Sequence, residues 1–241
     1  MPELGRRTVE TPMIASEEPV FYPESDGQPM AENTEQFHWI VYIKEGLEWL
    51  FAADPTVFVA GDLLWYPVEG KNKIRLAPDA MVAFGRPKGR RGSYLQWKEG
   101  NIPPQVVFEV LSPGNTALEM TRKFQFYQRY GVEEYYVYDP DSGGLDGAIR
   151  QGAVLEAIEE MEGWISPRLG VRFERMEQGE LRLWRPDGSP FESYTELAGR
   201  AEQAEQRAGL AEERAEQAEQ RVQQLAEQLR QLGLEPENGE G

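Results

Sequence analysis

Val106-Val107-Phe108-Glu109-Val110-Leu111 is a run of β-forming apolar residues interrupted by one charge, and its reading decides the fold. A strand of this composition reads as buried. A carboxylate inside it must give up water, which costs several kcal/mol unless an ion or a donor compensates. Upstream, Pro78-Asp79 opens a second apolar run, Ala80 to Phe84. Downstream, the turn Ser112-Pro113-Gly114-Asn115 leads into a helix expected from about Ala117 to Tyr130, on which Glu119, Lys123 and Tyr127 share one face at i, i+4 and i+8. Two carboxylates in buried-looking strands and a lysine on the following helix point to a divalent-cation site. Each residue also has a plainer reading. Glu109 would be a buried carboxylate satisfied by donors, Asp79 an Asx turn or cap before a strand, and Lys123 a surface partner of Glu119 worth ~0.3 kcal/mol.

Working outward, Glu35 to Ala53 carries apolar residues at Phe37, Ile40, Val41, Ile43, Leu47, Leu50 and Phe51. That spacing predicts an amphipathic helix ending before Asp54-Pro55. Thr56 to Tyr66 is β-rich, Glu134 to Tyr138 reads as a strand after the helix stop at Gly131, and Asp141 to Gly144 as a turn. Ala153 to Ile158, Val171 to Met176 and Leu181 to Trp184 look like antiparallel strands joined by glycine-containing turns. The order describes an α/β fold with a central mixed β-sheet flanked by helices, not a regular βαβ repeat. Residues 1–34, rich in Pro, Glu and Ser, are expected to form a flexible arm, residues 35–192 the α/β domain, and residues 236–241 a disordered tail.

Composition excludes several chemistries. The 241 residues contain no cysteine, which removes disulfides, Cys-type zinc sites and thiol catalysis. The single histidine, His38, nearly removes Ser-His-Asp triads and multi-histidine metal clusters; in an apolar-looking helix it is expected to be a partly buried structural residue. No stretch of ~18 apolar residues and no signal-peptide core is present, so no membrane association and a cytoplasmic location are expected. The formal net charge of -17 argues against a polyanionic partner, but the charge is uneven. Residues 1–37 carry 8 acids against 2 bases and residues 196–241 carry 11 against 5. Residues 71–98 instead hold Lys71, Lys73, Arg75, Arg86, Lys88, Arg90, Arg91 and Lys98 against Asp79 alone. This basic island is equally a solvated loop or a phosphate-contacting surface.

From Leu197 the pattern changes to a heptad repeat: Leu197, Ala201, Ala204, Ala208, Ala211, Ala215, Ala218, Val222, Leu225, Leu229 and Leu232. With Ala201 at position a, Glu205, Glu212 and Glu219 fall at e, and Arg207, Arg214 and Arg221 at g. A parallel partner brings Arg207 against Glu212 and Arg214 against Glu219 of the other chain, whereas an antiparallel partner would oppose like charges. Residues 193–235 are therefore expected to form a parallel coiled coil with a second copy, a dimer being favoured. The Val222 to Leu232 end would contribute most, because alanine cores bury little area. Gly209 and Gly233 would weaken the helix and Pro236 end it. A single solvated helix of good propensity is the alternative.

Pro78-Asp79, Phe108-Glu109-Val110-Leu111-Ser112-Pro113, Lys123 with Tyr127, and Gly131-Val132-Glu133-Glu134-Tyr135-Tyr136-Val137-Tyr138-Asp139 together resemble the Uma2-like proteins (DUF820). These form a bacterial group of restriction endonucleases assigned to the PD-(D/E)XK nuclease superfamily. The resemblance covers about residues 35–185. It implies a restriction-endonuclease-like core and Mg²⁺-dependent hydrolysis of phosphodiester bonds in DNA, with Mn²⁺ as a substitute ion. The superfamily pattern places a lysine two residues after the acid, where this chain has Leu111, so Lys123 would replace it from the helix. On this likeness Asp79 and Glu109, with the Val110 carbonyl, hold the ion, and Lys123 orients water or stabilises the oxyanion. Glu48 is a candidate additional acid, and Arg75, Lys88, Arg90 and Arg91 are candidate phosphate contacts. A rival expectation is a catalytically inactive scaffold of the same fold that assembles partners through its coil.

Overall fold

The computed structural model describes residues 20–176 and 179–232. The chain divides into two compact units, residues 1–189 and 190–241. In the first, helix α1 (Thr34–Leu50) starts at Asn33, whose side chain accepts the Gln36 N–H. It is followed by β1 (Val57–Ala60), β2 (Trp65–Tyr66), β3 (Ala80–Phe84), β4 (Tyr94–Leu95), β5 (Val106–Val110), helix α2 (Ala117–Tyr130), β6 (Glu134–Asp139), β7 (Gly144–Gln151), β8 (Val154–Ala157), β9 (Arg172–Arg175) and β10 (Leu181–Trp184). The main sheet has the order β1-β3-β5-β6-β7-β8. β5 and β6 are parallel and every other neighbouring pair is antiparallel. A parallel pair needs a crossover, and α2 supplies it. The α/β class and the central mixed sheet expected from the pattern are present.

Side-chain alternation divides the sheet into two faces. Met81, Ala83, Val107 and Tyr135 pack in one cluster with Tyr127 of α2 and with Trp65 and Tyr94 of the small parallel pair β2–β4. On the other face Trp39 of α1 meets Tyr138 at 4.8 Å, and Phe173 of the β9–β10 pair lies 4.6 Å from Tyr136 and 6.1 Å from Phe108. α1 buries Gln36, Trp39, Ile40, Tyr42, Ile43, Gly46 and Leu47. Phe37 and Val41, counted in its apolar face from spacing, are exposed, and so is His38, which stands edge-on to Trp39 instead of being partly buried. The true stripe runs through Trp39, Ile40, Ile43 and Leu47, and Phe37 and Val41 beside it obscured its edge.

One strand and one break in an expected strand were hidden in the sequence. β7, Gly-Leu-Asp-Gly-Ala-Ile-Arg-Gln, lacks an apolar run, yet it pairs along its length with β6. Gly147 explains part of its composition: a Cβ there would stand 2.6 Å from the Met161 sulfur and 2.8 Å from Ile158 Cδ1. The β-rich stretch from Thr56 to Tyr66 is broken at Gly61-Asp62, where Asp62 adopts φ 47°.

Residues 1–19 of the expected arm and the expected tail lie outside the described residues. From Val20 to Asn33 the chain is irregular and tied to the core. Asn72 donates to the Phe21 carbonyl at 2.9 Å, Tyr66 to the Pro23 carbonyl at 2.7 Å, and the Tyr22 ring lies edge-on to Tyr66 at 5.2 Å.

The second unit contains one 38-residue helix, α3 (Tyr194–Gln231), opened by a capping box between Ser193 and Glu196. None of its described residues is buried. Gly233 and Pro236 lie outside the described residues.

Gly131 ends α2 with φ 97°, which permits the immediate entry into β6. Gly131→Ala is expected to lose about 1–2 kcal/mol, the cost of the left-handed region for an L-residue, read as a lowered urea midpoint with an unchanged slope.

Candidate metal and phosphate site

The register of β3 against β5 explains why Asp79 and Glu109 meet. Ala80 faces Phe108 in an antiparallel pair, so one step further Asp79 comes opposite Glu109 on the same face of the sheet. That face is the one α2 covers. Glu109 is almost fully buried, and both its oxygens are taken by α2: Oε2 accepts from Lys123 Nζ at 2.8 Å, and Oε1 accepts a short hydrogen bond from the Tyr127 hydroxyl. Lys123 is thus committed to Glu109 and not to Glu119, whose carboxylate accepts from Asn115. Asp79 Oδ2 accepts the Val110 N–H at 2.7 Å. The structure brings Asp79, Glu109 and Lys123 together from the entry to β3, from β5 and from α2.

Their environment is strongly negative. Asp79 and Lys123 line a cavity of about 430 Å³ together with Asp26, Glu32, Asp62 and Glu119, with Arg75 as its second cation. Burial and the adjacent Glu109 push the Asp79 carboxyl well above the usual carboxylate range, against the pull of Lys123 and the Val110 N–H. Burial alone would lower Lys123, but the Glu109 and Asp79 charges outweigh it and hold the amine above its ordinary value. Burial also raises Tyr127, and Glu109 adds to the effect. Asp62 is raised by burial and then by Asp26.

The other expected residues separate into two groups. Arg75 lines the cavity and donates to neutral oxygens, Asn72 O at 3.3 Å and Tyr66 Oη at 3.4 Å. Lys88 and Arg90 stand exposed on the loop after β3 and do not line the cavity. Arg91 is paired with Glu99 at 2.7 Å and covers the Phe58 ring at 3.9 Å, away from the cavity wall. Glu48 does not join the site: it pairs with Lys44 on the outer side of α1. The α1 residue that lines the cavity is Gln36, twelve residues earlier and so about 18 Å along the helix axis. The Val110 carbonyl, expected as an ion ligand, accepts from Gln36 Nε2 at 2.8 Å and keeps a second lone pair. Gln36, Asp62 and Glu32 went unnoticed in the sequence because polar residues in a helix start, a turn and an irregular segment give no periodic signal.

Among the described residues no group of three or more His, Cys, Asp or Glu is gathered for a metal. The donors that fit a cation are two adjacent carboxylates and a main-chain oxygen. They are hard ligands, and one of them is destabilised in its charged form by burial and by its neighbour.

A second buried carboxylate makes the contrast clear. Glu134 accepts from Arg168 N at 2.7 Å, from Tyr136 at 2.9 Å and from the Ser166 hydroxyl, so its burial is met by neutral donors. A larger cavity beside it, about 720 Å³, contains Arg150 and Arg168. Both are spoken for, Arg150 by the Val132 and Gln128 carbonyls and Arg168 by Glu133.

A carboxylate pair with a lysine at the end of a mixed sheet is the class of site present here. The family model of Uma2, described as "Putative restriction endonuclease", matches residues 43–175, more than half of the chain. The chain belongs to the Uma2 family. Among solved structures, a crystal structure from Anabaena variabilis of "a putative nuclease belonging to DUF820" is similar at 16% identity over 58% of this chain and 74% of that one, with a TM-score of 0.43. No curated protein matches the chain. Among the described residues no helix is long and apolar enough to cross a membrane.

Because the folded Asp79 carboxyl titrates above its unfolded value, its contribution to stability is present below the unfolded value and is lost as pH rises through the folded one. In chelator, Asp79→Asn is therefore expected to exceed the parent in unfolding free energy at pH 8 by on the order of 1 kcal/mol, read from urea denaturation. The advantage should shrink to nothing toward pH 4. An advantage that grew on acidification would contradict this assignment of sign.

Proposed function

We propose that this Uma2 protein is a divalent-metal-dependent nuclease that hydrolyses phosphodiester bonds of DNA. The observation that carries the proposal is the convergence of Asp79 and Lys123 on one cavity wall, with Glu109 buried directly behind Lys123, in a member of a family described as restriction endonucleases. Asp79, Glu109 and the Val110 carbonyl would hold the ion, with Mg²⁺ proposed and Mn²⁺ as its substitute. The ion would supply Lewis-acid polarisation of a phosphate oxygen and a more acidic water.

The chain's own residues have distinct tasks. Lys123 stays protonated, since its amine is held above the ordinary lysine value. It therefore serves as a fixed positive donor, stabilising charge on a phosphate oxygen or orienting water, and not as a base. Tyr127 and Lys123 hold Glu109 in one rotamer, so the carboxylate needs no reorganisation. Val110 N–H fixes one oxygen of Asp79 and leaves the other free to turn to the cavity. Arg75, the cavity cation that meets only neutral oxygens, would bind a phosphate next to the scissile one. Lys88 and Arg90, exposed on their loop, would be outlying backbone contacts; Arg91 would first have to leave Glu99.

The test is cleavage of plasmid and of defined oligonucleotides by the full chain with Mg²⁺, Mn²⁺ or chelator. Asp79→Ala and Lys123→Met should each lower the rate by ~10²-fold or more with circular dichroism unchanged. Cleavage that persists in Asp79→Ala would sink the proposal. Absence of both metal uptake and cleavage in the parent chain would favour the non-catalytic scaffold.

We also propose that α3 associates in parallel with a second copy, dimers being favoured. Support comes from an apolar stripe left uncovered along a helix that buries nothing, Val222 and Leu225 being 66% and 47% exposed, and from the e/g sorting of Glu and Arg. Light scattering of the full chain and of a chain ending before Tyr194 should show a dimer and a monomer respectively. The same mass per particle in both would exclude the coil as the interface.

A further inference from the structure

We propose that Gln36, on α1, is a positioning residue of the metal site, acting through the Val110 peptide. It lies ahead of the residues matched by the family model. The inference rests on the metal-site reading above.

Backbone groups alternate in direction along a strand. Leu111 N–H donates to Tyr138 O on the β6 side, so the N–H and C=O of Val110 point the other way, toward β3. The last register pair there is Ala80 with Phe108, and at Val110 the ladder has run out. Two side chains replace it. Asp79 Oδ2 accepts the N–H at 2.7 Å, and Gln36 Nε2 donates to the C=O at 2.8 Å.

The orientation of the amide is fixed from its other end. Gln36 Oε1 accepts the Glu32 N–H at 2.8 Å, which leaves only Nε2 to face Val110. The side chain is buried, so this geometry is held against exchange with water. Glu32 in turn accepts from the Ser112 hydroxyl at 2.7 Å, so the junction ahead of α1 grips the chain on both sides of Leu111. Gln36 thereby fixes the carbonyl of the same residue whose N–H anchors Asp79, and that carbonyl oxygen is the third proposed ligand. Partners of this kind, one bond removed from an ion, are worth 10–100-fold in metal affinity.

The experiment uses the full chain and Mn²⁺ as the probe. Gln36→Met keeps length and volume but has no donor, and Gln105→Leu is the control. Gln105 is a buried glutamine at the opposite end of the same strand, where it accepts the Phe84 N–H. Calorimetric titration should show Mn²⁺ affinity lowered about tenfold or more in Gln36→Met and unchanged in Gln105→Leu. Amide exchange at Val110 in the metal-free chain should accelerate in the first variant alone. In the unmutated chain, which needs no variant to fold, Mn²⁺ should broaden the Gln36 side-chain amide and the Val110 N–H before the Gln105 amide. If the parent binds Mn²⁺ and Gln36→Met binds it equally well, the positioning role is wrong and the metal site stands; if Gln105 broadens first, the ion sits elsewhere and both readings fall. If the parent binds no Mn²⁺, both fall.

Discussion

The Glu109 side chain buried inside β5 is the constraint around which the first unit is arranged. A lone carboxylate there would cost several kcal/mol, and removing one partner of a buried pair typically costs 3–5 kcal/mol. The charge is tolerated because α2 lies across that face and delivers Lys123 and Tyr127 to its two oxygens. The pair is not a cheap source of stability, since a well-packed apolar residue would serve the sheet as well. What the arrangement secures is direction. With Glu109 pinned, Asp79 is opposite it by register, and the N–H and the C=O of Val110 are each held by a side chain.

This makes the cavity an electrostatic problem as well as a geometric one. Five carboxylates and two cations line it, and one of those cations is already engaged by Glu109. A phosphodiester approaching such a wall meets repulsion, and a divalent cation is the natural counter-charge. Glu134 shows that the fold also handles a buried carboxylate by neutral donors alone. Two residues of the same type in neighbouring strands thus occupy opposite regimes, and the difference lies in what the opposing elements present.

The second unit follows other rules. α3 is long, well capped and rich in Ala, Glu and Gln, so local propensity suffices to write it as a helix. Helical stability in proteins comes mostly from a packed face. A 38-residue helix without a buried residue presents a face that the single chain does not use.

Much of the architecture was legible along the chain. Strong local signals marked α1, α2, β3, β5, β6 and α3: period, the glycine stop at 131, and the contradiction of a charge in an apolar run. β7 was not legible, because two glycines and alternating polar residues form a strand only when β6 supplies the hydrogen bonds and Met161 and Ile158 need the space above Gly147. The parallel β2–β4 pair was likewise invisible, being two residues long. Among the candidate residues, the sequence by itself singled out Asp79, Glu109 and Lys123, since each violates or punctuates a local pattern. Only the tertiary structure decided that Gln36 stands where Glu48 was expected, that Asp62 and Glu32 face the cavity, and that Arg91 is bound to Glu99. The reason is physical: periodicity tells which side of an element is buried, whereas the angle and height at which one element crosses another choose which turn of a helix reaches a given atom.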